Sequence, residues 1–130
     1  MILLDTHIWY WWVSDSPRLS PRQRELIKTH RNDGLGLSAI SIWEVAKKNQ
    51  LGKLDLNQPL DDWLRVALNY PGITLLPLSS EILVESARLP GGFRSDPGDE
   101  MIVATSRVLG LPLLTADDKL LNYEHVSKLT

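Results

Sequence analysis

Four short runs, Ile2-Leu3-Leu4, Leu35-Gly36-Leu37, Ile73-Thr74-Leu75-Leu76 and Leu111 to Thr115, are apolar almost throughout, and segments of helical character separate them. A strand with one wet face alternates apolar and polar residues, whereas these runs call for cover on both faces. Strands alternating with helices pack as a parallel sheet flanked by those helices. The chain is therefore expected to form one α/β domain over residues 1–130, with a mostly parallel sheet of four to five strands. The fifth would be an edge strand from His125 to Leu129.

Turn and capping residues mark out the helices. One runs from Thr6 to about Val13 and stops before Ser14-Asp15-Ser16-Pro17. Ser20 followed by Pro21 is an N-cap with proline in the first turn, opening a helix to about His30. Asn32-Asp33-Gly34 is a turn, and Ser38 leads into a helix that carries Glu44 and reaches about Gln50. Further helices are expected over Pro59 to Asn69, Ser79 to Arg88 and Asp117 to Asn122. Asp96 caps a strongly apolar helix from Pro97 to about Leu109, which Gly110 ends.

At 130 residues and 43% hydrophobic, the chain can bury an adequate core. A net charge of -2 and a pI near 5.9 argue against non-specific coating of nucleic acid, yet leave room for a local basic patch. With no cysteine, disulfides, thiolate zinc sites and a cysteine nucleophile are excluded. The run Ile8 to Val13 is far too short to span a bilayer, and an acid stands at position 5, unlike a signal peptide. A soluble cytoplasmic protein is expected.

Four acids stand where strand-like runs give way to helix-like segments: Asp5, Glu44, Asp99 and Asp117. In a parallel sheet the carboxyl ends of the strands share one edge, where ligands bind. Carboxylates gathered there repel one another, and a divalent cation such as Mg²⁺ or Mn²⁺ relieves the repulsion through oxygen ligation. Each acid also has a local explanation. Asp5 can cap the first helix by accepting from an amide one or two residues beyond Thr6. Glu44 can pair with Lys48 one helical turn on, although Ile42, Trp43, Val45 and Ala46 around it favour a place near the protein body. Asp99 falls at the capping-box position behind Asp96, and Asp117 can cap the last short helix, with Thr115 as a rival cap. Any one explanation suffices singly, but four acids at one edge call for a metal-dependent site acting on phosphate.

Arg18, Arg22, Arg24, Lys28 and Arg31, and Lys47, Lys48 and Lys53 near Glu44, are mostly ordinary solvated faces, a subset of which could hold a phosphate backbone. Trp9, Tyr10, Trp11 and Trp12 spread around several faces of one helix, which favours core packing plus a protein–protein contact over base stacking. His7 reads as a locally hydrogen-bonded group.

Taken in order, Ile2-Leu3-Leu4-Asp5-Thr6-His7, then Ser38 to Ala46 with Lys48 and Gly52-Lys53-Leu54, Asp96-Pro97-Gly98-Asp99-Glu100 to Thr105, and Leu113-Leu114-Thr115-Ala116-Asp117 resemble the PIN-domain proteins, specifically the VapC-type toxin ribonucleases. Each motif is short and degenerate; the ordered set spans essentially the whole chain. The resemblance implies an endoribonuclease whose Asp5, Glu44, Asp99 and Asp117 form the acidic metal site, with Thr6 an auxiliary polar group and Thr115 supporting the last acid. It implies Mg²⁺ or Mn²⁺ as cofactor, single-stranded or looped RNA as substrate, a cognate antitoxin as partner, and a homodimer. Glu100 stands where related chains often carry arginine, which leaves a phosphate-contacting role at that position unsupported.

Rival readings fare less well. An aspartyl-nucleophile phosphatase wants a second acid two residues after Asp5, where His7 stands. A phosphoacceptor signalling domain fits poorly with an acid in mid-helix and no lysine after a late strand. A housekeeping nuclease of the same fold, or a PIN-like module that only binds RNA or protein, shares the same motifs.

Overall fold

The computed structural model describes residues 1–130. Its sheet has four strands, β1 (Ile2–Leu4), β2 (Leu35–Ser38), β3 (Ile73–Leu76) and β4 (Leu113–Leu114), in the order β3-β2-β1-β4. Every pairing is parallel: Leu4 stands opposite Leu37 on one side and Leu114 on the other, and Leu35 opposite Ile73. The helices are α1 (Thr6–Val13), α2 (Pro21–His30), α3 (Ala39–Gln50), α4 (Leu60–Ala67), α5 (Ser80–Ser86), α6 (Pro97–Leu109) and α7 (Asp118–Leu121).

The expected fifth strand does not form. Residues 125–129 contribute a single parallel bridge, Leu113 to Lys128, with Leu113 N–H donating to Ser127 O at 2.8 Å and Leu129 N–H to Leu113 O at 3.0 Å. The neighbouring β4 spans two residues rather than Leu111 to Thr115, because Pro112 has no amide with which to extend a ladder. The helices expected over Pro59 to Asn69 and Ser79 to Arg88 are shorter by a few residues, as fraying ends commonly are.

Side chains of β1 alternate between two cores, and this alternation fixes the layers. Ile2 and Leu4, with Leu35, Leu37 and Leu114, pack under Ile8 and Trp9 of α1, Leu26 and Ile27 of α2, and Trp63 and Ala67 of α4. Leu3 and Leu113 face Ile82 of α5, Ile102, Val103 and Ala104 of α6, and Leu120 of α7. Helix α3 supplies Val45 to the first core and Ile40 to the second, so it lies across the end of the sheet. β3 is the least buried strand despite its apolar sequence, with Leu75 exposed on the sheet edge.

Of the α1 aromatic residues, Trp9 is fully buried, its Nε1–H donates to Ala67 O at 3.1 Å, and it meets Trp63 edge-on at 5.0 Å. Trp12 packs edge-on against Tyr70, and Trp11 is half-buried. Trp9 thus ties α1, which starts at the sheet edge, to α4 across the first core. Trp9→Ala is expected to lower stability by about 3–5 kcal/mol, the usual cost of removing a buried large side chain. Denaturant unfolding followed by circular dichroism checks this, as a lower midpoint with an unchanged slope.

Candidate active site

The parallel register places Asp5 and Thr115 side by side, each one residue past the Leu4–Leu114 pair, and Asp5 N–H donates to Leu114 O at 3.0 Å. Asp5 is 3% exposed. Its Oδ1 accepts from Thr6 N–H at 2.8 Å, so it caps α1 through the first helical amide rather than one further along. Its Oδ2 accepts from the Thr115 hydroxyl at 2.6 Å. Thr115 does not cap α7; its Oγ1 accepts from Asp117 N–H at 3.0 Å and so links the two acids. His7 Nε2 accepts from Ala116 N–H at 3.0 Å, which puts the ring proton on Nδ1, 3.6 Å from Asp5 Oδ2.

Glu44 does not pair with Lys48. Its Oε1 accepts from the Thr6 hydroxyl at 2.5 Å, and since that hydroxyl has one proton, the buried Ser41 hydroxyl donates to Thr6 Oγ1 across 2.7 Å. This hydroxyl pair turns the Glu44 carboxylate inward and half-buries it, near the protein body as its apolar neighbours favour, although Trp43 beside it is 56% exposed. On the far side α6 approaches closely at Gly98, where a Cβ would stand 2.6 Å from Glu44 Cδ.

Asp99 occupies the capping-box position only in part. Asp96 Oδ1 accepts from Asp99 N–H at 2.8 Å, but the Asp99 carboxylate does not return to the Asp96 amide. Instead Asp99 Oδ2 accepts from the Ser95 hydroxyl at 2.5 Å, and Glu100 reaches back to Ser95 N–H at 3.2 Å. Asp117 caps α7, its Oδ1 accepting from Lys119 N–H at 2.9 Å.

These four acids and Asp96 line one open cleft of about 440 Å³ with Arg18, Lys48, Lys53 and Lys119. Burial pushes the Glu44 carboxyl above its ordinary 4.5, the charges of Asp5 and Asp96 push the same way, and the Thr6 hydrogen bond and Lys48 oppose them. Asp99 is likewise raised from 3.8, first by burial and then by Asp96, Asp5 and Asp117, against the Ser95 bond. The acids therefore feel one another, as expected of like charges sharing a partly dry site.

As placed, no three acidic or histidine side chains stand close enough to ligate a single ion. The donor chemistry nonetheless fits a hard divalent cation. Glu44, Asp99 and Asp117 each keep one carboxylate oxygen without a protein hydrogen bond, facing carboxylates whose repulsion a cation would relieve. Mg²⁺ retains several waters and needs only one or two direct carboxylates, so a loosely spaced set is adequate.

The fold and this acid-lined edge define a PIN domain, and the family model for the PIN domain matches residues 2–126, so the chain belongs to that family. It is 30% identical over 129 residues to Ribonuclease VapC22 of Mycobacterium tuberculosis, covering 99% of this chain and 96% of that protein. Among solved structures, VapBC2 of Rickettsia felis bound to a promoter DNA fragment matches with a TM-score of 0.73 at 15% identity, over 99% of this chain and 98% of that one. DNA-bound VapBC of Salmonella typhimurium matches at 0.72 and 16% identity over 99% and 98%, and FitAcB of Neisseria gonorrhoeae at 0.71 and 23% over 100% and 97%. The resemblance to VapC-type PIN proteins seen in the motifs thus holds across the whole chain.

Sequence reasoning missed Ser41, Ser95, Gly98 and Lys119. Ser95 directly before the Asp96-Pro97 cap was the one local signal available, since a hydroxyl there lies within one turn of Asp99. The raised carboxyls give a stability prediction. A carboxyl raised in the folded state stabilises the fold while protonated, and that contribution is lost as pH rises from its ordinary value through its folded one. In EDTA, Glu44→Gln, which still accepts from Thr6, is therefore expected to melt above wild type at pH 7. The advantage shrinks as pH falls towards 4.5, and paired thermal melts across that range check it.

Proposed function

We propose that this chain is a metal-dependent endoribonuclease of the VapC type, the toxin of a toxin–antitoxin pair. The observation that carries the reading is the convergence of Asp5, Glu44, Asp99 and Asp117 on one cleft at the sheet edge of a PIN domain. The name of the 30%-identical relative, Ribonuclease VapC22, supports RNA cleavage, and the fold shared with a toxin-antitoxin complex from Klebsiella pneumoniae, at a TM-score of 0.66 and 18% identity, is in line with an antitoxin partner.

In this reading Asp5, Glu44 and Asp99 hold Mg²⁺ or Mn²⁺, directly or through water, and Asp117 orients them or serves a weaker second ion. When bound, the cation supplies Lewis acidity at a phosphoryl oxygen and a more acidic water. The protein's own share is positional. Thr6 and Thr115 fix which oxygens of Glu44 and Asp5 face the cleft, and one carboxylate accepts the proton of the attacking water. Arg18, Lys48 and Lys53 on the rim hold the phosphates of a single-stranded or looped RNA. A catalytically silent binding module would have no use for three hydroxyl-held acids packed against their own repulsion. No helix is long and apolar enough to cross a membrane, in keeping with the cytoplasmic site that an RNA substrate implies. A second copy of the chain completes the proposed assembly, and the N-terminal aromatics are poorer candidates for that interface than expected, since Trp9 and Trp12 are engaged internally.

The deciding experiment incubates antitoxin-free protein with total cellular RNA in Mg²⁺, Mn²⁺ or EDTA. Discrete fragments are expected with either metal and none in EDTA, and Asp5→Asn and Asp99→Asn should each cost on the order of a hundredfold or more in rate. Folded protein that cuts no RNA in either metal would sink the enzymatic reading in favour of a binding module. Gly98→Ala is expected to lower the rate without abolishing the fold, because the added Cβ pushes the Glu44 carboxylate out of place.

A further inference from the structure

Lys119 makes two contacts that tie the acidic cluster together from one position. Its amide donates to Asp117 Oδ1 at 2.9 Å, while its side chain crosses the cleft to the other wall. There Nζ donates to Ser95 Oγ at 2.8 Å and stands 3.9 Å from Asp99 Oδ2. The Ser95 hydroxyl has a single proton, which goes to Asp99 Oδ2 at 2.5 Å, so Ser95 accepts from the ammonium while donating to the carboxylate. The Ser95 amide is held in turn by Glu100 at 3.2 Å, which fixes the hydroxyl between the two charges. The Lys119 side chain is 60% exposed, and its one hydrogen bond is the bond to Ser95. Arg18, Lys48 and Lys53 also line the cleft, but none of them lies within ion-pair distance of any acid.

We infer that Lys119, relayed through Ser95, is a built-in counter-ion for Asp99 that offsets the charge of the acidic cluster in metal-free protein and gives up that role when the cation binds. The inference rests on the metal-site reading above. An ammonium 3.9 Å from Asp99 Oδ2 lowers the repulsion among the acids at the cost of weakening the negative field that draws a cation to the unbonded Oδ1. Once displaced, the long flexible side chain is free beside the cleft that it lines. Lys119 is a positioning residue and a regulator of metal occupancy.

The test is Mn²⁺ affinity, read directly by electron paramagnetic resonance or calorimetry without RNA, for wild type, Lys119→Met, Lys119→Arg and Lys47→Met. Lys47 is an exposed lysine outside the cleft and controls for loss of bulk charge. Lys119→Met is expected to bind Mn²⁺ about threefold to fivefold more tightly, the scale of an exposed ion pair. Lys119→Arg and Lys47→Met should stay at wild-type affinity, and all four proteins should melt within a few degrees of one another. Unchanged or weaker binding by Lys119→Met, or an equal gain in Lys47→Met, overturns the counter-ion. Absence of Mn²⁺ binding in every variant overturns both this inference and the metal-site reading on which it rests.

Discussion

Like charge concentrated at the carboxyl edge of a parallel sheet is the constraint around which the molecule is arranged. Buried carboxylates must be hydrogen-bonded or paired, or they take up a proton. Here each of the three most enclosed acids receives one hydroxyl: Thr115 donates to Asp5, Thr6 to Glu44 and Ser95 to Asp99. Hydroxyls suit the enclosed positions, and the one lysine near these acids, Lys119, reaches Asp99 with an exposed side chain and through Ser95. The hydroxyls stabilise one oxygen and fix its direction without neutralising the group, so the opposite oxygen of Glu44 and Asp99 keeps its affinity for a cation. The upward displacement of both carboxyls shows that the bonds only partly offset burial and mutual repulsion.

Capping and site formation are the same event in this fold. Asp5 caps α1 through one oxygen and faces Thr115 through the other, and Asp117 caps α7 through Oδ1 while Oδ2 remains unbonded. A cap and a ligand are alternatives only if a carboxylate has one useful oxygen, and it has two. Helix starts on a parallel sheet necessarily cluster at the edge where the strands end. The residues that begin the helices are therefore already the ones that converge, and the acids need no separate scaffold.

That coincidence explains how much was legible beforehand. The β1, α1 and α6 boundaries follow from apolar runs and from caps at Asp5 and Asp96, which act within a few residues of themselves. Asp5, Asp99 and Asp117, at or next to helix starts, could be assigned to one edge from topology alone. What escaped depends on contacts across long stretches of chain, such as Thr6 to Ser41, 35 residues away, and Lys119 to Ser95, 24 residues away. Apart from Ser95, which directly precedes the Asp96 cap, these serine and lysine residues carry no local signal of such roles. The shortness of β4 has a local cause in Pro112, whereas the tail beside it, expected as an edge strand, forms only the bridge between Leu113 and Lys128.

Glu44 illustrates where pattern gives way to packing. By helical spacing it could pair with Lys48, yet its Oε1 is bonded to Thr6, and the apolar neighbour Trp43 that suggested an inward place is itself exposed. The deciding contacts are the Ser41–Thr6 hydroxyl pair beneath Glu44 and the missing side chain at Gly98 beside it. One supplies the donor that turns the carboxylate towards Asp5, and the other supplies the space for α6 to bring Asp99 close. Helix α3 contributes an acid to the cleft because its own first turn and the first turns of α1 and α6 meet there, not because of its hydrophobicity. A mid-helix acid can join a sheet-edge site only where such a donor and such a gap coincide, which is why Glu44 is the member of the set that sequence spacing alone least constrains.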